Sequence, residues 1–389
     1  MVKESLSLPI PRHWLSRSIW LVLCSSLLTL SNGCTNPSAA NANSSLQSNQ
    51  LENQISAGVS GLQAIVVRDF ADQVVVPTYE QLVVKAGLLS ATVEALVKNP
   101  NQQTLQAAQQ SWIVARSPWE QSEAFAFGPA DSLGYDGDLD DWPVNETDVK
   151  AVLESNDQLT LEYVQNLQTT QKGFHTIELL LFGADNNRSV TDFSPRKLEY
   201  LKFLAEAFNQ SANDLLTSWV KGVNGNPPYR QVLATAGDIE NRAYPTVNAG
   251  VEEIVQGMLG CLDEVANEKI GEPLETKETE GLESRFSHTS LEDFKNNLLS
   301  AKNAYLGEVP EAGTSGKSLS NYVAQLNPEL DQQVRREMQR AIEAIAAIPT
   351  PIETKINQPD AQVKMEAAQQ AVLKLHSTIE QEVLPLVQG

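Results

Sequence analysis

The sequence predicts an all-α fold made of two helical bundles. Apolar residues recur at helical spacing in several long segments, strand-like alternation is hard to find, and a run of Gly, Asn and Pro at residues 222–228 interrupts the chain near its middle. With 389 residues and 41% apolar content, the chain is long enough for two cores. We therefore expect an N-terminal bundle at residues 54–222 and a C-terminal bundle at residues 223–389.

Helices are predicted in five segments, in which apolar side chains return every three or four residues. These segments are residues 79–96, 102–120, 155–182, 194–220 and 330–348. In the second of them, Leu105, Trp112 and Trp119 recur every seven residues and mark the face that we expect to be buried. Gly183 and Gly222 follow the third and fourth segments, where glycine commonly ends a helix.

A faint internal repeat connects the two predicted bundles. When residues 102–120 are shifted by 260 positions onto residues 362–380, seven residues are identical. A duplication would make the two bundles related in origin. Two helices rich in Ala and Gln also match through composition alone, so both explanations stay open at this point.

The charge balance and the cysteine count exclude several functions. Lys and Arg total 28 and Asp and Glu total 49, for a net charge of −21. Since nucleic-acid binding depends on clustered basic residues, we expect no nucleic-acid partner. Three cysteines are too few for a disulfide framework or a cysteine-rich zinc site. We expect Cys261 to be a buried, unpaired thiol.

Residues 1–33 have the pattern of a lipoprotein signal peptide. A basic flank precedes the apolar run 19–30, which is too short to cross a bilayer as a helix, and Gly33 precedes Cys34. We expect Cys34 to be lipidated and residues 34–53, rich in Asn, Ser and Gln, to form a flexible tether. The alternative is an ordinary signal peptide with Cys34 incidental. Thr35, in place of Asp, favours the outer over the inner membrane for an anchored, periplasm-facing protein.

Two charged segments are predicted to be exposed. Residues 136–141 resemble the start of a calcium loop, but position 141 is Asp141 instead of Gly and position 147 is Thr147 instead of Glu. We therefore expect a solvated loop there. Residues 271–284 are rich in charge and turn formers, and we expect them to be a surface connection.

His175 and Glu178 form the first group of residues with chemical potential. Residues three apart lie on one helix face, so the imidazole and the carboxylate can meet at one point. This is the reverse order of the Glu-x-x-His pairs that bind metals inside helical bundles. The alternative is that His175 and Glu178 only pair with each other.

Arg116, Glu120 and Glu123 form the second group, at spacings of four and three on one helix face. Aromatic residues flank them, which indicates partial burial. Buried carboxylates are costly unless they are paired or bound to a metal. A structural pair between Arg116 and Glu120 is the simpler alternative.

Taken together, these motifs resemble the imelysin-like family, whose hallmark is Gly-x-His-x-x-Glu. The resemblance covers roughly residues 54–389. The segments that carry it are Gly173-Phe174-His175-Thr176-Ile177-Glu178, residues 116–129, Trp142-Pro143-Val144, residues 283–287 together with Asp293 and Asn296-Asn297, and Val383-Leu384-Pro385.

The resemblance implies two helical bundles with the site near their junction. It implies His175 and Glu178 as the hallmark residues, and we expect them and Glu120 to be metal ligands. Residues from the other matching segments are expected to bind a ligand or to support the metal ligands. They are Arg116, Glu123, Glu283, Arg285 and Ser287.

The family is linked to iron-regulated envelope proteins and iron uptake, and it is also placed among metallopeptidases. The first hypothesis is therefore a lipoprotein that binds iron, with zinc as the alternative ion, or an iron-containing ligand such as haem, and that works with iron-transport components. The second is a metal-dependent peptidase. No His-Glu-x-x-His motif or its inverse is present in the sequence, which disfavours a two-histidine zinc hydrolase. Whether the protein is an enzyme stays open, and a purely structural bundle is a third hypothesis.

If Cys34 is the lipid attachment site, Cys34→Ser will remove a fatty-acid label and move the protein from the membrane fraction to the soluble fraction. The matched control is Cys261→Ser, which keeps both the label and the membrane location because Cys261 lies far from the predicted signal peptide at residues 1–33. Metabolic acyl labelling and fractionation measure both. A label that persists in Cys34→Ser would contradict the assignment.

Overall fold

The helices of the computed structural model cover most of residues 61–389, which are the residues that the structure describes. The predicted signal peptide, the tether and Cys34 lie outside the described residues. All described residues belong to one compact unit. The division into two bundles at residue 222 and their origin by duplication stay predictions.

The N-terminal half contains three long helices joined by short ones. Residues 61–70 are helical and continue through a π-helical stretch, Ala71–Val75, into α1. The elements are α1 Val76–Lys98, α2 Gln102–Glu120, α3 Pro129–Ser132, α4 Tyr135–Asp140, α5 Glu146–Glu154, α6 Leu161–Gln165, α7 Gly173–Phe182 and α8 Pro195–Val220, with 3-10 turns at Glu123–Phe125, Thr169–Gln171 and Val190–Asp192. Helix α1 packs along both α2 and α8.

The C-terminal half contains four long helices and one small hairpin. Its elements are α9 Tyr229–Ala234, α10 Val247–Glu264, a π-helical extension Val265–Gly271, α11 Glu272–Thr276, α12 Ser290–Leu306, β1 Glu308–Val309, β2 Thr314–Ser315, α13 Leu319–Leu326, α14 Pro328–Ala346, a 3-10 turn Ile352–Thr354, α15 Pro359–Thr378, a π-helical stretch Ile379–Val383 and α16 Leu384–Gln388. The two strands are antiparallel, with Glu308 opposite Ser315 and Val309 opposite Thr314.

The all-α prediction is confirmed, and so are four of the five predicted helices. Segments 79–96, 102–120, 194–220 and 330–348 correspond to α1, α2, α8 and α14, with ends that differ by at most three residues. Their predicted apolar faces are buried, including Leu82, Leu89, Trp112, Trp119 and Val334. Polar caps start several of the helices, as where the Asn101 side chain accepts hydrogen bonds from the amides of Gln103 and Thr104.

The predicted single helix at 155–182 is wrong, because α7 begins only at Gly173. Lys172 is extended and Gly173 has a φ of +79°, a left-handed conformation that interrupts an incoming helix. A Cβ at position 173 would lie 2.6 Å from the Leu139 carbonyl oxygen. Glycine therefore lets the start of α7 approach the backbone of α4 closely, and this approach brings His175 beside Asp140.

The two segments predicted to be exposed are only partly so. Residues 136–141 are mostly helix α4 and not a loop, and the Asp140 side chain is only 8% exposed. Residues 271–284 run along the surface until Gly281, but Leu282, Glu283 and Ser284 are buried. In each segment, an acidic residue at or next to the end enters the interior together with an apolar neighbour, Leu139 beside Asp140 and Leu282 beside Glu283.

The two halves of the chain meet along α2 and α12. These helices pack on each other, and the turn Glu123–Phe125 packs against α10. Polar contacts cross the junction, since Gln121 Nε2 donates to Asn296 Oδ1 at 3.0 Å and the Ala124 amide donates to Ser300 Oγ at 2.9 Å. Cys261 is free and buried, as predicted. Within residues 61–389, no helix has the length and apolarity that a bilayer crossing requires.

We expect Gly173→Ala to destabilise the fold by about 2–4 kcal/mol, because it combines left-handed strain with a clash against Leu139. The matched control is Gly225→Ala. Gly225 also has a positive φ, of +81°, but a Cβ there meets no described atom within 4 Å, so its cost is about 1 kcal/mol. Urea unfolding of both variants measures the difference, and equal losses would contradict the close approach.

Candidate metal centre

Arg116, near the end of α2, lies at the centre of a buried charged cluster. Its Nη1 donates a hydrogen bond to Asp140 Oδ1. Its Nη2 lies 2.5 Å from Glu120 Oε1 and 3.1 Å from Glu283 Oε1, and its Nε lies 3.5 Å from Asp293 Oδ1. One guanidinium therefore contacts four carboxylates that come from both halves of the chain.

His175 projects from the first turn of α7 into the same cluster. Its ring is buried, with Nδ1 3.4 Å from Glu178 Oε2 and Nε2 3.1 Å from Asp140 Oδ1. The contact between Nε2 and Asp140 lacks hydrogen-bond geometry, and within residues 61–389 this nitrogen has no other hydrogen-bond partner. The imidazole is thus held through Nδ1, and Nε2 faces the cluster.

Glu178 is fixed by the loop that precedes α12. The backbone amides of Phe286 and Ser287 donate to Glu178 Oε1 at 3.1 and 2.7 Å, and Ser287 Oγ donates to the same oxygen at 2.7 Å. Its other oxygen faces His175 Nδ1. A carboxylate in this place fixes the orientation of a histidine ring, as the outer-shell partners of metal-bound histidines do.

Lys269 supplies the second fixed cation, from the π-helical extension of α10. Its Nζ lies 2.9 Å from Glu283 Oε1, 3.6 Å from Glu120 Oε2 and 3.4 Å from Glu264 Oε1. It also donates to Asn297 Oδ1 at 3.1 Å, and Asn297 Nδ2 donates to Glu120 Oε2 at 2.7 Å. Lys269 and Asn297 together hold the carboxylates of Glu120 and Glu283.

Acidic groups outnumber basic ones in this cluster. Five carboxylates, those of Glu120, Asp140, Glu178, Glu283 and Asp293, surround Arg116, Lys269 and His175. Even with a protonated His175, the fully ionised cluster would be negative. A buried excess of negative charge is resolved by protonation or by binding a cation.

The pKa values of the buried groups reflect the opposing effects of burial and of neighbouring charges. Burial, with Glu283 nearby, raises the pKa of Glu120 well above its usual range despite Arg116, and similarly raises the pKa of Asp293 to about 7. Asp140 differs, because Arg116 and His175 outweigh its burial and lower its pKa. Burial acts to lower the pKa of His175, but the carboxylates of Asp140 and Glu178 prevail and raise it to about 10.

Three side chains of the cluster meet the geometric requirement for a metal ion. One donor atom each from Asp140, His175 and Glu283 lie within 4.8 Å of one another. Two orphaned atoms support the fit, since His175 Nε2 and Glu283 Oε2 lack hydrogen-bond partners in the described part of the chain. A mixed nitrogen and oxygen donor set suits iron and zinc.

Most of the predicted site residues share the buried cluster, but two of them lie outside it. Arg116, Glu120, His175, Glu178 and Glu283 share the cluster, and Ser287 supports Glu178. Glu178 and Glu120 already contact protein donors, so their assignment as metal ligands stays a prediction. Glu123 is partly exposed in the 3-10 turn, and Arg285 pairs at the surface with Glu146 at 2.6 Å.

Sequence reasoning missed Asp140 and Lys269 as members of the site. Asp140 belongs to an acidic segment that we expected to be solvated, and its signal was that it ends a short helix next to Trp142 and Pro143. Lys269 gave no signal, because a π-helix changes the periodicity by which buried positions are recognised. Both residues are identified only by the packing of distant segments.

The fold and the cluster define a class of protein: an all-helical protein with a buried site of histidine and carboxylates suited to a cation. The sequence model of the imelysin family, which is also designated peptidase family M75, matches residues 75–379. The chain belongs to the imelysin family. This confirms the resemblance drawn from its motifs.

Relatives of this chain include a named protein and two solved structures. Iron-regulated protein A of Synechococcus elongatus is 40% identical over 322 residues, which are 83% of this chain and 86% of that protein. A crystal structure described as an iron-regulated protein A precursor of Parabacteroides distasonis is 27% identical, with a TM-score of 0.76 over 84% of this chain and 94% of that chain. An imelysin-like protein of Psychrobacter arcticum, 14% identical, shares the fold with a TM-score of 0.63 over 85% and 96% of the two chains.

Protonated His175 should stabilise the metal-free fold. Its pKa rises from 6.5 to about 10 on folding, so this stabilisation is full below about pH 6.5 and is lost as pH increases towards 10. His175→Gln should therefore cost the most stability below pH 6.5 and progressively less at higher pH. Chemical unfolding across this range measures the difference, and an NMR titration midpoint for His175 near 6.5 would contradict the assignment.

Proposed function

We propose that the protein is an envelope lipoprotein that binds iron as cargo and takes part in iron uptake. One observation carries the proposal: donor atoms of Asp140, His175 and Glu283 converge within 4.8 Å inside a cluster with an excess of carboxylates. A cation would neutralise that excess. The name of the 40% identical relative, Iron-regulated protein A, favours iron over zinc as the ion.

The site favours a bare ion over a larger iron-containing ligand such as haem. The side chains of His175, Glu283 and Asp140 are 1%, 2% and 8% exposed, and their donors are separated by the span of one coordinated ion. Glu178 would hold the His175 ring so that Nε2 is available. Arg116 and Lys269 would balance the carboxylates that do not bind the ion.

The proposed location is the periplasm-facing surface of a membrane, with the outer membrane favoured. Lipidation at Cys34 and the tether at residues 34–53 would hold the folded part near the membrane and leave it free to reach transport components.

The alternative function is a metal-dependent peptidase, which the designation of the family as peptidase family M75 favours. A catalytic metal needs an open coordination position for water and access for a peptide carbonyl. The enclosure of His175 and Glu283 disfavours such access. Binding is therefore the function that the geometry supports best.

We expect the mature protein to bind one Fe(II) or Zn(II) per chain, and His175→Ala and Asp140→Asn to weaken binding by about 100-fold or more. The matched control is His376→Ala, because His376 lies in α15, far along the chain from the site residues, and its loss should leave affinity unchanged. Anaerobic calorimetry and metal analysis after dialysis give affinity and stoichiometry, and thermal unfolding verifies each fold.

Unchanged metal retention in both site variants would refute the proposal. Casein or peptide-library turnover that is abolished by His175→Ala would instead support the peptidase alternative. Because the same purified proteins serve both assays, binding and hydrolysis are compared directly.

A further inference from the structure

We infer that Arg116 is the internal cation that occupies the metal site in the metal-free protein, and that it sets the affinity of the site by competing with the metal. This inference rests on the proposed function. It concerns the regulation of binding and identifies Arg116 as the residue that makes binding reversible.

Arg116 and a metal would use the same groups. Arg116 Nη1 donates to Asp140 Oδ1, and Nη2 lies 3.1 Å from Glu283 Oε1. Asp140 and Glu283 are two of the three side chains whose donors converge with His175. Because a guanidinium is a planar fork, it reaches both carboxylates at once. A metal bound by both would therefore compete with Arg116 for them, most directly at Asp140, whose Oδ1 accepts from Arg116 and whose Oδ2 accepts from Trp119 Nε1.

The hydrogen bonding of Arg116 is incomplete. Its Nε and Nη2, together with Glu120 Oε1 and Glu283 Oε2, are buried and have no hydrogen-bond partner in residues 61–389, although charged groups lie within contact distance. Buried polar atoms are normally satisfied, and exceptions commonly mark a functional constraint. The guanidinium neutralises these carboxylates without completing their hydrogen bonds.

Arg116 would keep other partners on leaving Asp140 and Glu283. Its Nη2 lies 2.5 Å from Glu120 Oε1 and its Nε lies 3.5 Å from Asp293 Oδ1, and neither carboxylate belongs to the converging group. Its guanidinium also lies 4.9 Å from the centre of the Phe174 ring. A small shift within this enclosure would release Asp140 and Glu283 while Arg116 stays paired.

Lys269 does not fill the same role. It contacts Glu283 at 2.9 Å, but its other contacts are with Glu120, Glu264 and Asn297, and none of these three belongs to the converging group. Arg116 is the cation that hydrogen-bonds Asp140. A comparison of substitutions at Arg116 and Lys269 therefore distinguishes competition at the metal donors from a general effect of removing positive charge.

The exchange of one cation for another explains how a buried site can take up and release an ion. When the metal leaves, Arg116 returns to Asp140 and Glu283, so these carboxylates are never without a counter-ion. This lowers the cost of the empty site and weakens the net affinity. A protein that receives and passes on an ion gains from both effects.

The test compares Arg116→Gln with Lys269→Gln, each of which removes one buried positive charge. We expect Arg116→Gln to bind Fe(II) and Zn(II) with an affinity at least about tenfold higher than the wild type, and to release them more slowly. Lys269→Gln should change the affinity and the release rate clearly less. Calorimetry gives the affinities. Stopped-flow measurement of metal transfer to a chelator gives the release rates.

A double-mutant cycle adds a readout that a merely structural role would not change. Glu120→Gln removes a partner that retains the displaced Arg116, so it should weaken metal binding in the wild-type background. In Arg116→Gln the same change should have little effect, because no guanidinium needs a second position. Equal effects in both backgrounds would overturn the inference.

If Arg116→Gln does not fold, Arg116→Lys serves in its place. It retains the charge but loses the fork that contacts Asp140 and Glu283 together, and it should also bind metal more tightly. In the wild type, the NMR signal of Arg116 Nε should shift when Zn(II) is added.

Failure of the inference and failure of the proposed function are distinguishable. If the wild type binds metal through His175 but Arg116→Gln binds with equal or lower affinity, or Lys269→Gln matches its gain, only the competition is refuted. If neither the wild type nor Arg116→Gln binds metal, both are refuted.

Discussion

The buried guanidinium of Arg116 holds the centre of this protein together electrostatically. Four carboxylates contact it, and they come from α2, α4, the loop before α12 and α12 itself. Without a cation at this point, those carboxylates would repel each other in a region that water does not reach. Removing one partner of a buried ion pair commonly lowers the free energy of unfolding by about 3–5 kcal/mol. Arg116 therefore links the geometry of the site to the packing of the two halves.

The remaining features of the site hold these charged side chains in position. Gly173 allows α7 to approach the Leu139 backbone, which brings His175 to Asp140. The amides of Phe286 and Ser287 hold Glu178, which in turn holds the imidazole. A polar site at a helix junction is thus built by backbone approach and by loop amides as much as by the charged residues themselves.

The sequence allowed prediction of the fold class, of most long helices and of part of the site. Helical periodicity located α1, α2, α8 and α14, and the spacing of His175 and Glu178 identified one face of α7, because these signals are local. The continuity of residues 155–182 could not be judged, since it depends on the conformation of Gly173. Asp140 and Lys269 were missed because their burial results from tertiary packing, which pattern and propensity do not report.

The site assembles residues that are far apart in the chain, as the contact between Glu120 and Asn297 illustrates. An ion held by Asp140, His175 and Glu283 would therefore bind only the folded chain and would shift the unfolding equilibrium. At a free ion concentration 100 times the dissociation constant, this linkage is worth about 2.7 kcal/mol. Proteases that degrade the unfolded chain would then remove the empty form faster than the loaded one. The lifetime of the protein would in this way depend on the supply of the ion that it binds.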